Sequence, residues 1–294
     1  MSDLIQGISR INNVIKGTTQ LAAIYKGTDL IWPSVLTPTP TPTNTQTPTI
    51  TPTNTPTNTV TNTLTPSVTP TRTVTPTKTP VTPTPTLTFI NFTGNAGIGT
   101  NYSYPNRSIG GPGLIVFTTH SEGSNNATLS GLTCNGIPAT IHETEIIELS
   151  GNYITNSIAS VRITSGSTAD IIASYTNQMD RMGIGIFRIE NNLSDTPISF
   201  NSVSANSGTT LSMDLTGLTT NTNLGVVCET ASDWNATLTL YTGATRNYAA
   251  RVTSSIGMII TGGNFTGTTA GSQTIFTNTP LSTQSMLLTG VVWN

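Results

Sequence analysis

His120 and His142 are the only two imidazoles in the chain, so any chemistry that needs a neutral-pH base must be built around one of them. The stretch "IHETEII" places His142 before Glu143 and Glu145. A zinc helix of the HExxH type needs a second His at position 146, where this chain has Ile, and the segment alternates like a strand. Glu143 and Glu145 stand two apart, on one face of such a strand. Two carboxylates roughly 5 to 9 Å apart are what cleavage of a sugar–sugar bond requires. No apolar run around them marks the dry pocket that would raise one pKa, and paired acids are ordinary on an exposed strand face. His120, in "TTHSEGSNN", reads as a loop residue with no GxSxG turn near it. No catalytic residue is assigned, and the expectation is a non-enzyme with no cofactor and no metal.

Binding chemistry is better represented. In "ASDWNAT", Trp234 stands between Asp233 and Asn235 at an expected turn. A flat aromatic beside planar polar groups can stack on a sugar ring and hydrogen-bond its hydroxyls, so these three form the expected glycan-binding site; the competing reading makes Trp234 a core cap. Asn191, Asn192 and Asp195 in "IENNLSD" offer oxygens to Ca²⁺ or sugar, although Asn/Asp-rich turns are common between strands. The Gly-rich "SIGGPGL" lacks a following helix and reads as a turn, not a phosphate cradle. Cys134 and Cys228 lie far apart without CxxC spacing and are expected to be buried thiols.

Composition narrows the partners. The 294 residues carry 11 Lys+Arg and 13 Asp+Glu, a net charge of -2, with 3 basic and 2 acidic residues in 1–36, only Arg72 and Lys78 in 37–88, and 6 basic against 11 acidic in the remainder. A body with net charge of that sign does not neutralise phosphates, so nucleic acid is not an expected partner. The start "MSDLIQGISR" has no basic-then-apolar leader, and no run of eighteen apolar residues occurs, so neither a signal peptide nor a membrane span is expected.

Three segments position these residues. Residues 1–36 repeat every ten, with Gly7, Gly17 and Gly27 marking the period. Each unit reads as strand, Gly turn and return strand, giving a short β-meander too small to be stable alone. Residues 37–88 hold Thr at every odd position from 37 to 79 except Ser67, with Pro at many even positions. Each Pro fixes its own φ, pushes the preceding residue out of the helical region and removes a ladder donor. At ~3.1 Å per residue such a run of about fifty residues spans on the order of 150 Å as an extended stalk. Residues 89–294 break into short apolar runs bounded by Gly, Asn, Ser and Thr, among them "GLIVFTT", "GIGIFRI" and "SMLLTGVVW", with no helical periodicity. The expected fold is all-β, with a jelly-roll-like β-sandwich as the C-terminal domain.

"INNVIKGTTQLAAIYKGTDLIWPS" followed by a Thr/Pro tract resembles the start of tailed-bacteriophage structural proteins, in which a short "YxGxxxIWP"-like leader precedes a variable tail. The resemblance implies that residues 1–36 anchor the chain to other virion proteins, with Ile24, Tyr25, Leu30 and Trp32 as the anchor residues. "TCNGIPAT", "SGSTADIIASY", "RMGIGIFRI" and "LLTGVVW" are similar to a β-domain of phage virion proteins over about 110–294. The function so implied is a virion structural protein, a fibre or capsid decoration subunit displaying a β-sandwich that adheres to glycans. A homo-oligomer is expected, a trimer by preference, located on the virion after synthesis in the host cytoplasm. The alternatives are a cement protein without a ligand, on head or tail, and a tailspike-type glycan hydrolase.

Overall fold

The computed structural model of the chain describes residues 83–149, 151–207, 209–232, 240–253, 257–278 and 285–294, with four short strands nearer the N terminus. Every regular element among them is a strand and every pairing is antiparallel. The chain divides into two units, 1–75 and 76–294. In the first, β1 (Ile15–Lys16) pairs with β2 (Thr19–Gln20) and β3 (Ala23–Lys26) with β4 (Asp29–Pro33). Lys16 faces Thr19 and Lys26 faces Asp29. The expected meander is thus present as two separate hairpins among the described residues. All four anchor residues fall in the second hairpin, Ile24 opposite Trp32 and Tyr25 opposite Leu30. Residues 37–82 lie outside the described residues.

Among the described residues the second unit carries seventeen strands. The first nine are β5 (Thr86–Asn95), β6 (Gly99–Ser108), β7 (Gly113–Gly123), β8 (Leu129–Cys134), β9 (Ile137–Pro138), β10 (Thr140–Leu149), β11 (Asn152–Ile163), β12 (Thr168–Met179) and β13 (Arg181–Glu190). They form a five-stranded sheet in the order β10-β11-β7-β13-β5 and a four-stranded sheet in the order β6-β12-β8-β9. The remaining eight are β14 (Ser199–Ala205), β15 (Thr210–Leu218), β16 (Asn223–Ser232), β17 (Leu240–Thr242), β18 (Thr245–Thr253), β19 (Gly257–Gly267), β20 (Gly271–Asn278) and β21 (Met286–Trp293). These form a five-stranded sheet, β14-β21-β16-β19-β18, and a three-stranded sheet, β15-β20-β17.

The four sheets are layered. Tyr102, Ile115, Phe117, Ile171 and Ile184 fill the space between the four-stranded sheet and the first five-stranded sheet. Leu114, Val116, Phe187, Leu224, Val291 and Trp293 fill the space between the two five-stranded sheets, and Met213, Leu215, Val227 and Leu288 the space beneath the three-stranded one. This layering explains two strand patterns. Outer strands β12 and β15 alternate buried and exposed residues, whereas β7, β13 and β21 are buried almost throughout because a sheet covers each face. The continuous apolar runs of the sequence are inner-layer strands, and each Leu or Ile so buried contributes roughly 1.5–3 kcal/mol.

The two halves repeat one topology. If the two-residue strand β9 is set aside, each half has eight strands in the sheet orders first-eighth-third-sixth-fifth and second-seventh-fourth. The registers agree in detail. Asn91, Ile186 and Phe117 share a row in the first half, as Asn201, Gly290 and Val227 do in the second, and both asparagines accept the next residue's N–H, at 2.8 and 2.9 Å. Both fifth strands carry a bulge at the same place, between Ile141 and Glu143 and between Arg246 and Tyr248. In this correspondence Leu114, Val116 and His120 take the places of Leu224, Val226 and Thr230.

Candidate functional site

Sequence reasoning placed His120 in a loop; it lies instead inside β7, fully buried, on the face turned toward the second half. Its Nδ1 lies 2.8 Å from Thr230 Oγ1, its counterpart in the other half, and its Nε2 lies 2.7 Å from Tyr248 OH. Tyr248 OH lies 2.6 Å from Thr118 Oγ1. Thr230 donates to Asn156 Oδ1, and Asn156 Nδ2 donates to Leu287 O at 3.3 Å. One assignment of protons satisfies the chain: Thr118 donates to Tyr248, Tyr248 to His120 Nε2, His120 Nδ1–H to Thr230, Thr230 to Asn156. The assignment requires a neutral imidazole. Burial lowers the His120 pKa to about 3, with the neighbouring Asn156 amide acting in the opposite sense.

Around this chain the glycines of "RMGIGIF" acquire a purpose. A Cβ on Gly185 would stand 2.6 Å from the Tyr248 ring, one on Gly262 would stand 2.1 Å from it, and one on Gly183 would meet Ile260 at 2.4 Å. The missing side chains let Tyr248 lie flat, stacked on Phe92 at 4.7 Å and Phe89 at 5.5 Å. No sequence signal singled out Tyr248, Thr230 or Asn156, because each becomes meaningful only when two sheets 110 or so residues apart in the chain are face to face.

At the opposite edge of the same seam, Glu143 and Glu145 share a strand face as the sequence suggested, but that face is covered. Ser202 donates to Glu143 at 2.6 Å, and Ser204 donates to Glu145 at 2.9 Å. Both carboxylates therefore hold β10 against β14. His142 sits beside them, 2.7 Å from Ser160 Oγ and edge-on to Trp293, and burial lowers its pKa. Near the other ends of the strands, Arg181 and Glu122 form a buried pair at 3.5 Å; burial pushes the Glu122 carboxyl up and Arg181 pulls it back.

The connections divide between two ends of the body. Thr86, Asn294 and the 190–199 crossover lie at one end, held by Asn191 Nδ2 donating to Thr84 O at 3.4 Å and Leu193 N–H donating to Asn294 O at 2.7 Å. Since antiparallel strands alternate in direction, the opposite end carries four connections from each half, including the ends Ser232 and Leu240 that flank Trp234. Asp233, Trp234 and Asn235 themselves lie outside the described residues.

The cluster of Asn191, Asn192 and Asp195 is at the first end. Arg162 donates to Asp195 and, at 2.7 Å, to Asn192; its guanidinium holds the Asp195 carboxyl below its usual range, which leaves that carboxylate matched by an arginine. Trp293 Nε1 donates to Asp195 O at 3.0 Å. The crossover is therefore rigid. Arg188 is partly buried and donates to Gly110 O in the "SIGGPG" turn, where Gly110 and Gly111 have φ of 76° and 116°. "TCNGIPAT" forms the β8–β9 hairpin on Asn135 and Gly136, both at positive φ, as an Asn-Gly turn requires. Both cysteines are buried thiols, Cys134 in β8 and Cys228 in β16.

Two clefts open at this end, one per half and at corresponding places. A cleft of about 340 Å³ in the first half is lined by Pro112, Thr164 and Glu190; one of about 250 Å³ in the second is lined by Thr222, Thr268 and Asn294. Against the first lie Arg162 of β11 and Asn191 of the crossover, and against the second lie Pro83 and Pro85, the last prolines of the Thr/Pro tract. Among the described residues no three His, Cys, Asp or Glu are placed to hold a metal, and no helix is long and apolar enough to cross a membrane. The chain matches no protein-family model, no curated protein and no solved structure.

Proposed function

We propose that the protein is a bacteriophage virion structural protein, a fibre or capsid decoration subunit whose body is held at one end and adheres to glycans at the other. Each eight-stranded half is, in this reading, a jelly-roll-like sandwich, and the body is two of them fused back to back. The observation that carries the proposal is the polarity of the body. The described body begins its first strand at Thr86, and the strand ends joined by eight connections, Ser232 and Leu240 among them, gather at the end facing away from that junction. Residues 1–36 supply the contact with other virion proteins, and repetition of the subunit on a particle makes weak individual sugar contacts useful.

The engagement of the chemistry-bearing side chains in cohesion favours this reading over hydrolysis. His120, Glu143 and Glu145 all bond across the seam between the halves. The test is direct. Full-length protein should retain host polysaccharide on a column without shortening it, and Trp234→Ala should reduce retention at least tenfold with an unchanged circular dichroism spectrum. Release of oligosaccharide by the wild type would overturn the proposal in favour of a hydrolase. Equal retention by wild type and variant would remove Trp234 from the site, and gold-antibody labelling absent from purified particles would refute the virion assignment.

A further inference from the structure

We infer that the cleft of the second half, beside Pro83 and Pro85, is a docking site for the Thr/Pro tract of a second copy of this chain. Three observations lead there. First, the cleft already seats one Thr/Pro segment: Pro83 and Pro85 form its wall, and Asn191 donates to the Thr84 carbonyl. A polyproline-type strand makes no internal hydrogen bonds, so its carbonyls need donors of this kind. Hydroxyls and amides of Thr220, Asn221 and Thr222 line the remaining space of about 250 Å³.

Second, Leu193 borders the same space with 65% of its surface exposed, on a crossover that is not loose. The bonds from Arg162 to Asp195 and Asn192, from Trp293 to Asp195 and from Leu193 to Asn294 fix its position. A large apolar side chain held in solvent beside two prolines is a surface for a further pyrrolidine ring, and each Pro has its φ fixed by its own ring, so little conformational freedom is lost there on docking.

Third, the occupant is available in quantity. Residues 37–82 supply Thr-Pro pairs again and again, so many registers fit. The same tract is a poor candidate for folding back onto its own body. It contains no Gly, and the alternating Pro residues favour extended backbone over the reversal needed directly before Pro83. A tract arriving from a neighbour, running beside Pro83–Pro85, meets neither obstacle. The site would bind tracts laterally and so bring bodies together near the junction with their stalks, with each single contact weak and the assembly held by several.

The inference does not depend on the virion assignment, because its test involves no particle. A synthetic peptide of residues 37–48, TPTPTPTNTQTP, is titrated into dilute ¹⁵N-labelled full-length protein while amide shifts are followed. Saturable shifts are expected at Leu193 and Thr220–Thr222, weakened at least tenfold in Leu193→Asp and in Asn221→Trp, which alter exposed side chains and leave the fold intact. Sedimentation of the full-length protein should show self-association that the peptide competes and both variants weaken. Absence of shifts, shifts that persist in both variants, or a monomer at 200 µM (a concentration chosen for the assay) would each overturn the inference.

Discussion

Acid should loosen the body at the seam between its halves, and His120 should account for most of the effect. The imidazole has a pKa of about 3 when folded, against 6.5 when free. Below pH 6.5 the unfolded chain binds a proton that the folded chain refuses, so stability falls as pH drops from 6.5 toward 3 and is constant below that on account of this group. Between pH 7 and pH 5 the loss is about 2 kcal/mol, since a pKa unit is worth about 1.4 kcal/mol and pH 5 lies roughly 1.5 units below the free value. The assay is urea unfolding at both pH values for wild type and His120→Gln, whose amide can accept from Tyr248 and donate to Thr230 without titrating. His142 adds a loss of the same sign and buried Glu122, with its raised pKa, a gain of opposite sign, but both remain in the variant. The difference between the two slopes therefore isolates His120. Equal slopes, within about 0.5 kcal/mol, would show that the histidine is either hydrated or charged in the folded protein.

Other consequences are as specific. Gly262→Ala places a methyl 2.1 Å from the Tyr248 ring and should cost about 1–3 kcal/mol with altered near-ultraviolet dichroism, whereas Gly131→Ala, with nothing within 4 Å, should leave the urea midpoint unchanged or slightly higher. Tyr248→Phe strands His120 Nε2 and Thr118 Oγ1 in a dry layer and should cost about 1–3 kcal/mol by the same titration. Arg162→Ala breaks a pair whose side chains are 37% and 50% exposed; the loss of stability should stay under about 1 kcal/mol, while limited proteolysis near Leu193 should accelerate.

Strand content was legible because apolar runs and turn residues carry it locally. "GLIVFTT", "GIGIFRI" and "SMLLTGVVW" announce buried strands. Layering was harder to see, since an unbroken apolar run reports that both faces are covered but not by what. The duplication left little trace in residue identity: its clearest marks are Leu114 with Leu224, Val116 with Val226, Asn91 with Asn201, and two bulges that no spacing rule reveals. His120 was misplaced for a related reason. "TTHSEGSNN" is as polar as a loop, and a strand can be that polar only when its donors and acceptors find partners on another sheet. Glu143 and Glu145 looked exposed because Ser202 and Ser204, which cover them, are nearly sixty residues away.

The two edges of the seam occupy equivalent places in the repeated topology but do not match in chemistry. In the register of the repeat, Tyr248 corresponds to Glu143 and Phe92 to Ser202, so an aromatic stack at one edge occupies the place of a carboxylate–hydroxyl bond at the other. Each half therefore recognises its sibling and rejects its own likeness. Two first halves brought together would set the Phe92 ring against the Glu143 carboxylate at both edges, leaving a charge buried without a donor; two second halves would strand the Tyr248 rings on serines. A mismatch of this kind favours pairing of each half with the one encoded on its own chain over exchange of halves between chains.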